Sequence, residues 1–145
     1  MAMNVRPKIF YTAKGHVDGG RDGHGRTDDG KLDVTLHKPK EMGGSGEGTN
    51  PEQLFAVGYA ACFIGALGVA AQKAGVELPK DVAIDSEVGL LQKPEGQLNI
   101  QVALQVHLPG FQHDEAQKLV EAAHQICPYS NATRGNVPVE LTVTT

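Results

Sequence analysis

The chain has 145 residues, a formal net charge of −4, 18 glycines, two cysteines and no tryptophan. An acidic balance without a long basic cluster excludes an electrostatic nucleic-acid footprint, and it gives an anionic membrane surface nothing to attract. Length and a hydrophobic content of 40% suit one domain over residues 1–145, with a core of its own and apolar surface left for a partner.

The opening stretch, "MAMNVRPKIFYTAKG", lacks the apolar run of a secretion signal, so the expected location is the cytoplasm. "KIFYTAKG" alternates Ile9, Tyr11 and Ala13 against polar neighbours and predicts a strand. "GGRDGHGRTDDG" reads as a glycine-rich turn region, mobile beyond Arg21. "KLDVTLHKP" puts Leu32, Val34 and Leu36 on one face of a second strand ending before Pro39, and "EMGGSGEG" reads as a loop.

A long helix is predicted next. Asn50 is suited to cap it, Pro51 suits its first position, and Gln53 completes a capping box, with Thr49 and Glu52 offering the same box one residue earlier. The helix is expected to reach about Lys73, with Gly75 ending it. No charge falls between Gln53 and Gln72, a run long enough by itself to cross a membrane. Its Gly/Ala richness and lack of basic flanks favour the buried centre of a soluble fold over a membrane span.

"VAIDSEVGLL" and "QLNIQVALQVHL" predict two strands joined by a hairpin at "KPEG". In the second, Leu98, Ile100, Val102, Leu104 and Val106 share the face expected to be buried. "DEAQKLVEAAHQIC" has helical periodicity closed by Cys127 and stopped by Pro128, and "PYSNATRGN" reads as a polar loop. "VPVELTVT" is a last strand. The fold class is therefore α+β, with two main helices on antiparallel sheets: a long buried central helix and a second ending at Cys127.

Cys62 is a lone thiol in the most apolar segment. Such surroundings raise a thiol's pKa and make it inert unless a cation reaches it, and no basic residue lies between Gln53 and Gln72. Core packing and a reactive role are both open for Cys62, as they are for Cys127 at the border of the polar loop. His124 and Cys127, at i and i+3, could share a metal, but the remaining ligands of a set are missing, so no metal is expected. Neither glycine-rich loop fits a phosphate-binding fingerprint, and no bound cofactor is expected.

"GGRDG", "EGTNPEQLFAVGYAACF" and "CPYSNATRGN", in this order across residues 19–136, resemble the organic hydroperoxide resistance proteins, a branch of the osmotically inducible protein C superfamily. The resemblance implies a thiol-dependent peroxidase, peroxiredoxin-like in its chemistry, working as an intertwined homodimer. It implies organic and fatty-acid hydroperoxides as substrates and a dithiol reductant, dihydrolipoyl groups on a lipoylated protein. By motif position Cys62 would be the peroxidatic cysteine, Cys127 the resolving cysteine, Arg21 the activating cation and Glu52 its carboxylate partner. Ala60 stands where serine is common in the pattern, a conservative change.

A permanently charged guanidinium suits such a site. It offsets the apolar surround and offers planar donors to thiolate and peroxide oxygen together, while Glu52 balances it. Glu52 and Cys62 are ten residues apart on one predicted helix, roughly 15 Å along its axis at about 1.5 Å per residue. The expectation is therefore a site shared across a two-fold axis, with Cys62 and Cys127 from one subunit and Arg21 and Glu52 from the other. Gly58, Gly65 and Gly68 would let two such helices approach. Two rival readings are a carrier of lipid-like ligands with both thiols as core residues, and a metal-dependent hydrolase using His124 and Cys127.

Overall fold

The computed structural model describes residues 6–145; the first five residues of the stretch read for a secretion signal lie outside the described residues. The chain divides between Asn50 and Pro51 into two compact units.

The N-terminal unit holds three short strands, β1 (Gly15–Asp18), β2 (His24–Thr27) and β3 (Asp33–Thr35), in an antiparallel sheet with β2 in the middle. Two expectations are corrected here. The strand predicted over residues 8–15 does not form: residues 6–14 have no regular secondary structure, and Ile9, Phe10 and Tyr11 are exposed. Alternation describes a strand's faces, but a strand needs a neighbour to pair with. Conversely, "HGRT", read as part of a turn, is the central strand. Its inward position is Gly25, buried beside the side chains of Val17, Leu36 and Val34, so no apolar residue advertises the face.

The C-terminal unit is built on α1 (Pro51–Ala74), β4 (Ala83–Gln92), β5 (Leu98–His107), α2 (His113–Ile126), α3 (Pro128–Thr133) and β6 (Val139–Thr144). Pro51 opens α1 as expected. Gly75 closes it with a positive φ of 73°, and the hydrogen bonds Gly75 N–H to Gln72 O and Val76 N–H to Ala71 O complete a Schellman stop. β4 and β5 form the predicted hairpin through Lys93–Gly96. β6 pairs with β5 in parallel, so the expectation of antiparallel sheets holds for every other strand pair but not this one. The α2–α3 crossover carries the chain back to the starting end of β5, which permits parallel pairing.

Val102, Leu104 and Val106 of β5 face the core as the alternation predicts, against Tyr59, Phe63 and Leu67 of α1 and Leu119, Val120 and Ala123 of α2. Ile100 is partly buried beside them, whereas Leu98 at the start of the strand, also expected on the buried face, is exposed. Ser86 ties β4 to α1 by donating to the Ala56 carbonyl at 2.9 Å. Among the described residues α1 is the one helix long and apolar enough to cross a membrane, and a third of its most apolar window is buried by its own chain. Its buried stripe is Tyr59, Phe63, Ala66, Leu67, Ala70 and Ala71, while Val57 and Val69 stay exposed. The helix predicted as buried all round is thus buried along one face by its own chain.

Candidate active site

The two cysteines meet. Cys62 lies at the middle of α1, and Cys127 is the single residue between α2 and α3. The Cys127 thiol donates to the Cys62 sulfur at an Sγ–Sγ separation of 3.7 Å. Both are free thiols, Cys127 fully buried and Cys62 half-buried. A disulfide needs sulfurs at about 2.05 Å, so closing the pair takes a shift of under about 2 Å.

Helix breaking places Cys127. Pro128 cannot continue α2, but its fixed φ suits a first helical position, so the chain restarts at once as α3. "PYSNATRGN", predicted as a polar loop, is therefore helical over its first six residues, Pro128–Thr133. The Cys127 N–H is held by Ala123 O at 2.8 Å and its carbonyl by Asn131 N–H at 3.0 Å. Both helices thus grip the backbone on either side of this thiol.

Burial is the largest influence on Cys62 and raises its pKa above the ordinary 9.0; the neighbouring Cys127 raises it further. The Tyr129 backbone N–H donates to Cys62 and works the other way, stabilising the thiolate. That donor could not be read from side-chain motifs, because it depends on α3 existing. Tyr129 also packs its ring on Phe55 and Tyr59, with centroids 5.4 and 5.5 Å away. Gly58 makes room for it: a Cβ there would come within 3.0 Å of the Tyr129 hydroxyl. This glycine thus accommodates an aromatic ring of its own chain, a use not assigned to it from the sequence. Cβ atoms at Gly65 and Gly68 would meet nothing within 4 Å.

Below the thiols runs a polar chain that motif reading passed over. The Tyr59 hydroxyl bonds Ser130 Oγ at 2.7 Å, and Ser130 Oγ bonds His124 Nδ1 at 2.8 Å. Tyr59 and Ser130 are fully buried. His124, weighed in the sequence as a metal ligand, packs its ring 6.5 Å from Phe63 and hydrogen-bonds Ser130 through Nδ1. Burial, then the nearby Arg134, holds its pKa below the usual 6.5. No group of three or more His, Cys, Asp or Glu side chains able to hold a metal occurs among the described residues.

Arg21 lies in the N-terminal unit, on a 3-10 turn over Gly20–Asp22 between β1 and β2. Its glycines are sterically required. A Cβ at Gly23 would fall 1.9 Å from the Asp18 carbonyl oxygen, and Gly19 has a φ of 73°. Asp22 then fastens the turn by accepting from the Lys38 N–H at 3.1 Å. Glu52 lies in the first turn of α1.

A family model described as OsmC-like protein matches residues 44–142. The chain is 53% identical over 137 residues to the organic hydroperoxide resistance protein of Xanthomonas axonopodis pv. citri, covering 94% of this chain and 96% of that one. It is similar to the crystal structure of an organic hydroperoxide resistance protein from Legionella pneumophila, with a TM-score of 0.90 and 48% identity over 95% of this chain and all of that one. The organic hydroperoxide resistance protein OhrB of Bacillus subtilis superposes with a TM-score of 0.85 at 45% identity, covering 94% of this chain and 100% of that one.

Proposed function

Because this chain belongs to the OsmC-like protein family, we propose that its single domain is a thiol-dependent peroxidase that detoxifies organic and fatty-acid hydroperoxides. The observation that carries this reading is the approach of Cys62 and Cys127 to 3.7 Å, both as free thiols, in a chain otherwise without cysteine. The names of the relatives support the substrate class.

In the proposed cycle the Cys62 thiolate attacks the terminal peroxide oxygen. The O–O bond breaks, the alkoxide takes up a proton and leaves as an alcohol, and Cys62 becomes a sulfenic acid. Cys127 attacks that sulfur, the S–O bond breaks, and the Cys127 proton leaves with the hydroxyl as water. A dithiol such as a dihydrolipoyl group then reduces the Cys62–Cys127 disulfide by exchange. Arg21, paired with Glu52, supplies the positive charge that the helix lacks around Cys62 and that this thiol, raised by burial, requires.

The proposed active form is a homodimer with shared sites. Helix α1 is continuous from Pro51 to Ala74, which supports a separation of roughly 15 Å along its axis between Glu52 and Cys62. Its uncovered side, with Val57 and Val69 exposed, supports an apolar partner face.

The test is turnover of cumene hydroperoxide with dihydrolipoamide in metal-free buffer. Wild type should turn over. Cys62→Ser should lose at least about 10³-fold, since serine is a far poorer nucleophile at neutral pH. Cys127→Ser should consume one peroxide per site and then accumulate oxygen adducts on Cys62, visible by mass spectrometry. A carrier with core thiols would show no turnover, and a metal enzyme would need added metal.

A further inference from the structure

From this geometry we infer that Tyr59, Ser130 and His124 form a positioning network that holds Cys127 against Cys62 for disulfide closure. The inference rests on the peroxidase reading of the two thiols and adds three residues to it.

The network is laid out around the sulfurs. Tyr59 is three residues before Cys62 on α1, His124 is three before Cys127 on α2, and Ser130 is three after it on α3. Its two links, Tyr59 to Ser130 at 2.7 Å and Ser130 to His124 at 2.8 Å, therefore join the helix bearing one thiol to both helices flanking the other. Arg134 repeats the α2–α3 tie from outside, donating from Nη2 to the His124 carbonyl at 2.6 Å and from Nη1 to Asn131 Oδ1 at 2.7 Å. Cys127 sits at a break between helices, its backbone gripped from both sides and its sulfur buried in the core, so the position of that sulfur follows the angle between α2 and α3. Ser130 Oγ is a buried polar atom that spans that angle. None of the three side chains is needed by the attack on peroxide. They act on the second step, in which the S–O bond of the Cys62 sulfenic acid breaks, the S–S bond forms and water leaves. A misplacement of about 1 Å can cost about 10²-fold in such a step.

The experiment separates the two steps. Reduced protein is mixed with one equivalent of cumene hydroperoxide; sulfenic acid is followed by dimedone trapping and closure by loss of free thiols. Tyr59→Phe and Ser130→Ala should form sulfenic acid within about twofold of the wild-type rate and close the disulfide roughly 10- to 100-fold more slowly. In a parallel run with excess hydroperoxide, over-oxidation of Cys62 should rise accordingly. His124→Asn keeps a hydrogen-bonding group near the place of Nδ1 and should restore most of the closure rate, whereas His124→Leu should not. A general loss of stability would slow both steps and would not distinguish asparagine from leucine. If Ser130→Ala fails to fold, the two His124 variants decide. Closure at the wild-type rate in folded Tyr59→Phe, Ser130→Ala or His124→Leu overturns the network. A wild-type protein that takes up peroxide and never joins Cys62 to Cys127 overturns the parent reading instead.

Discussion

Cys62 is a poor nucleophile in the company of its own helix. Burial and the adjacent thiol both favour its protonated form, and the one opposing influence resolved for it is the Tyr129 backbone N–H. A peroxidase built on this residue needs a permanent cation, which is the role proposed for Arg21. Arg21→Lys should then raise the Cys62 pKa and cost rate, because an ammonium lacks the planar two-pronged fork. Titration of thiolate absorbance checks this, and an unmoved pKa removes Arg21 from the site. His124 makes a second prediction. Its folded pKa lies below 6.5, so the folded state prefers the neutral ring. The stability this provides is complete above the unfolded pKa of about 6.5 and is lost as pH falls from there towards the folded value. Thermal melts of wild type should therefore fall more steeply between about pH 7 and pH 5 than those of His124→Asn. Equal slopes would show that His124 does not titrate differently on folding.

At the level of elements, two breaks in regular structure hold candidate residues. One is the turn over Gly20–Asp22, which glycine makes possible and Asp22 anchors. Gly23→Ala would drive a Cβ into the Asp18 carbonyl at 1.9 Å, a backbone contact that no side-chain rotation relieves. The expected cost is about 1–3 kcal/mol, the range for overpacking. Under the role proposed for Arg21, peroxide turnover should fall even where the protein remains folded. Normal melting and normal turnover together would show that the turn adjusts freely. The other break is the Pro128 junction between α2 and α3, which presents Cys127 and the Tyr129 N–H to Cys62. The apolar middle of α1 around Cys62 predicts a preference for long organic groups. Each further buried CH₂ is worth roughly 0.8 kcal/mol, or about fourfold in kcat/KM, until the accommodating surface is full. A flat profile from tert-butyl to fatty-acid hydroperoxides would contradict it.

For the whole molecule, the proposed homodimer divides the candidate residues between its subunits. Arg21 belongs to the N-terminal unit, and Glu52 begins the helix whose middle holds Cys62. The proposed shared site makes a test by complementation possible. Cys62→Ser and Arg21→Ala are each expected to be inactive. Their mixed dimer should regain one complete site and about half the wild-type turnover per dimer, as two equivalent sites imply. A mixed dimer as inactive as its parents would mean that each subunit builds its site alone. Light scattering on the wild type tests the dimer itself, with Val57→Glu expected to weaken it through the exposed side of α1.

Much of this could be read from residues alone. The α+β class, the limits of α1 from Pro51 to Gly75, the β4–β5 hairpin and its buried face follow from local rules of capping, left-handed stops and alternation, which act over a few residues. Cys62, Cys127, Arg21 and Glu52 were candidates from motif position. The sequence could not tell whether the two thiols meet, because their approach is a long-range consequence of α1 packing against α2 and α3. The folded structure decided that contact. It likewise decided that residues 8–14 form no strand, that "HGRT" is a central strand and that Pro128 starts a helix as well as ending one. The Tyr59–Ser130–His124 chain was hidden for the same reason: each is an ordinary polar residue until packing removes water and leaves them, with Thr133 beside Tyr59, to satisfy one another.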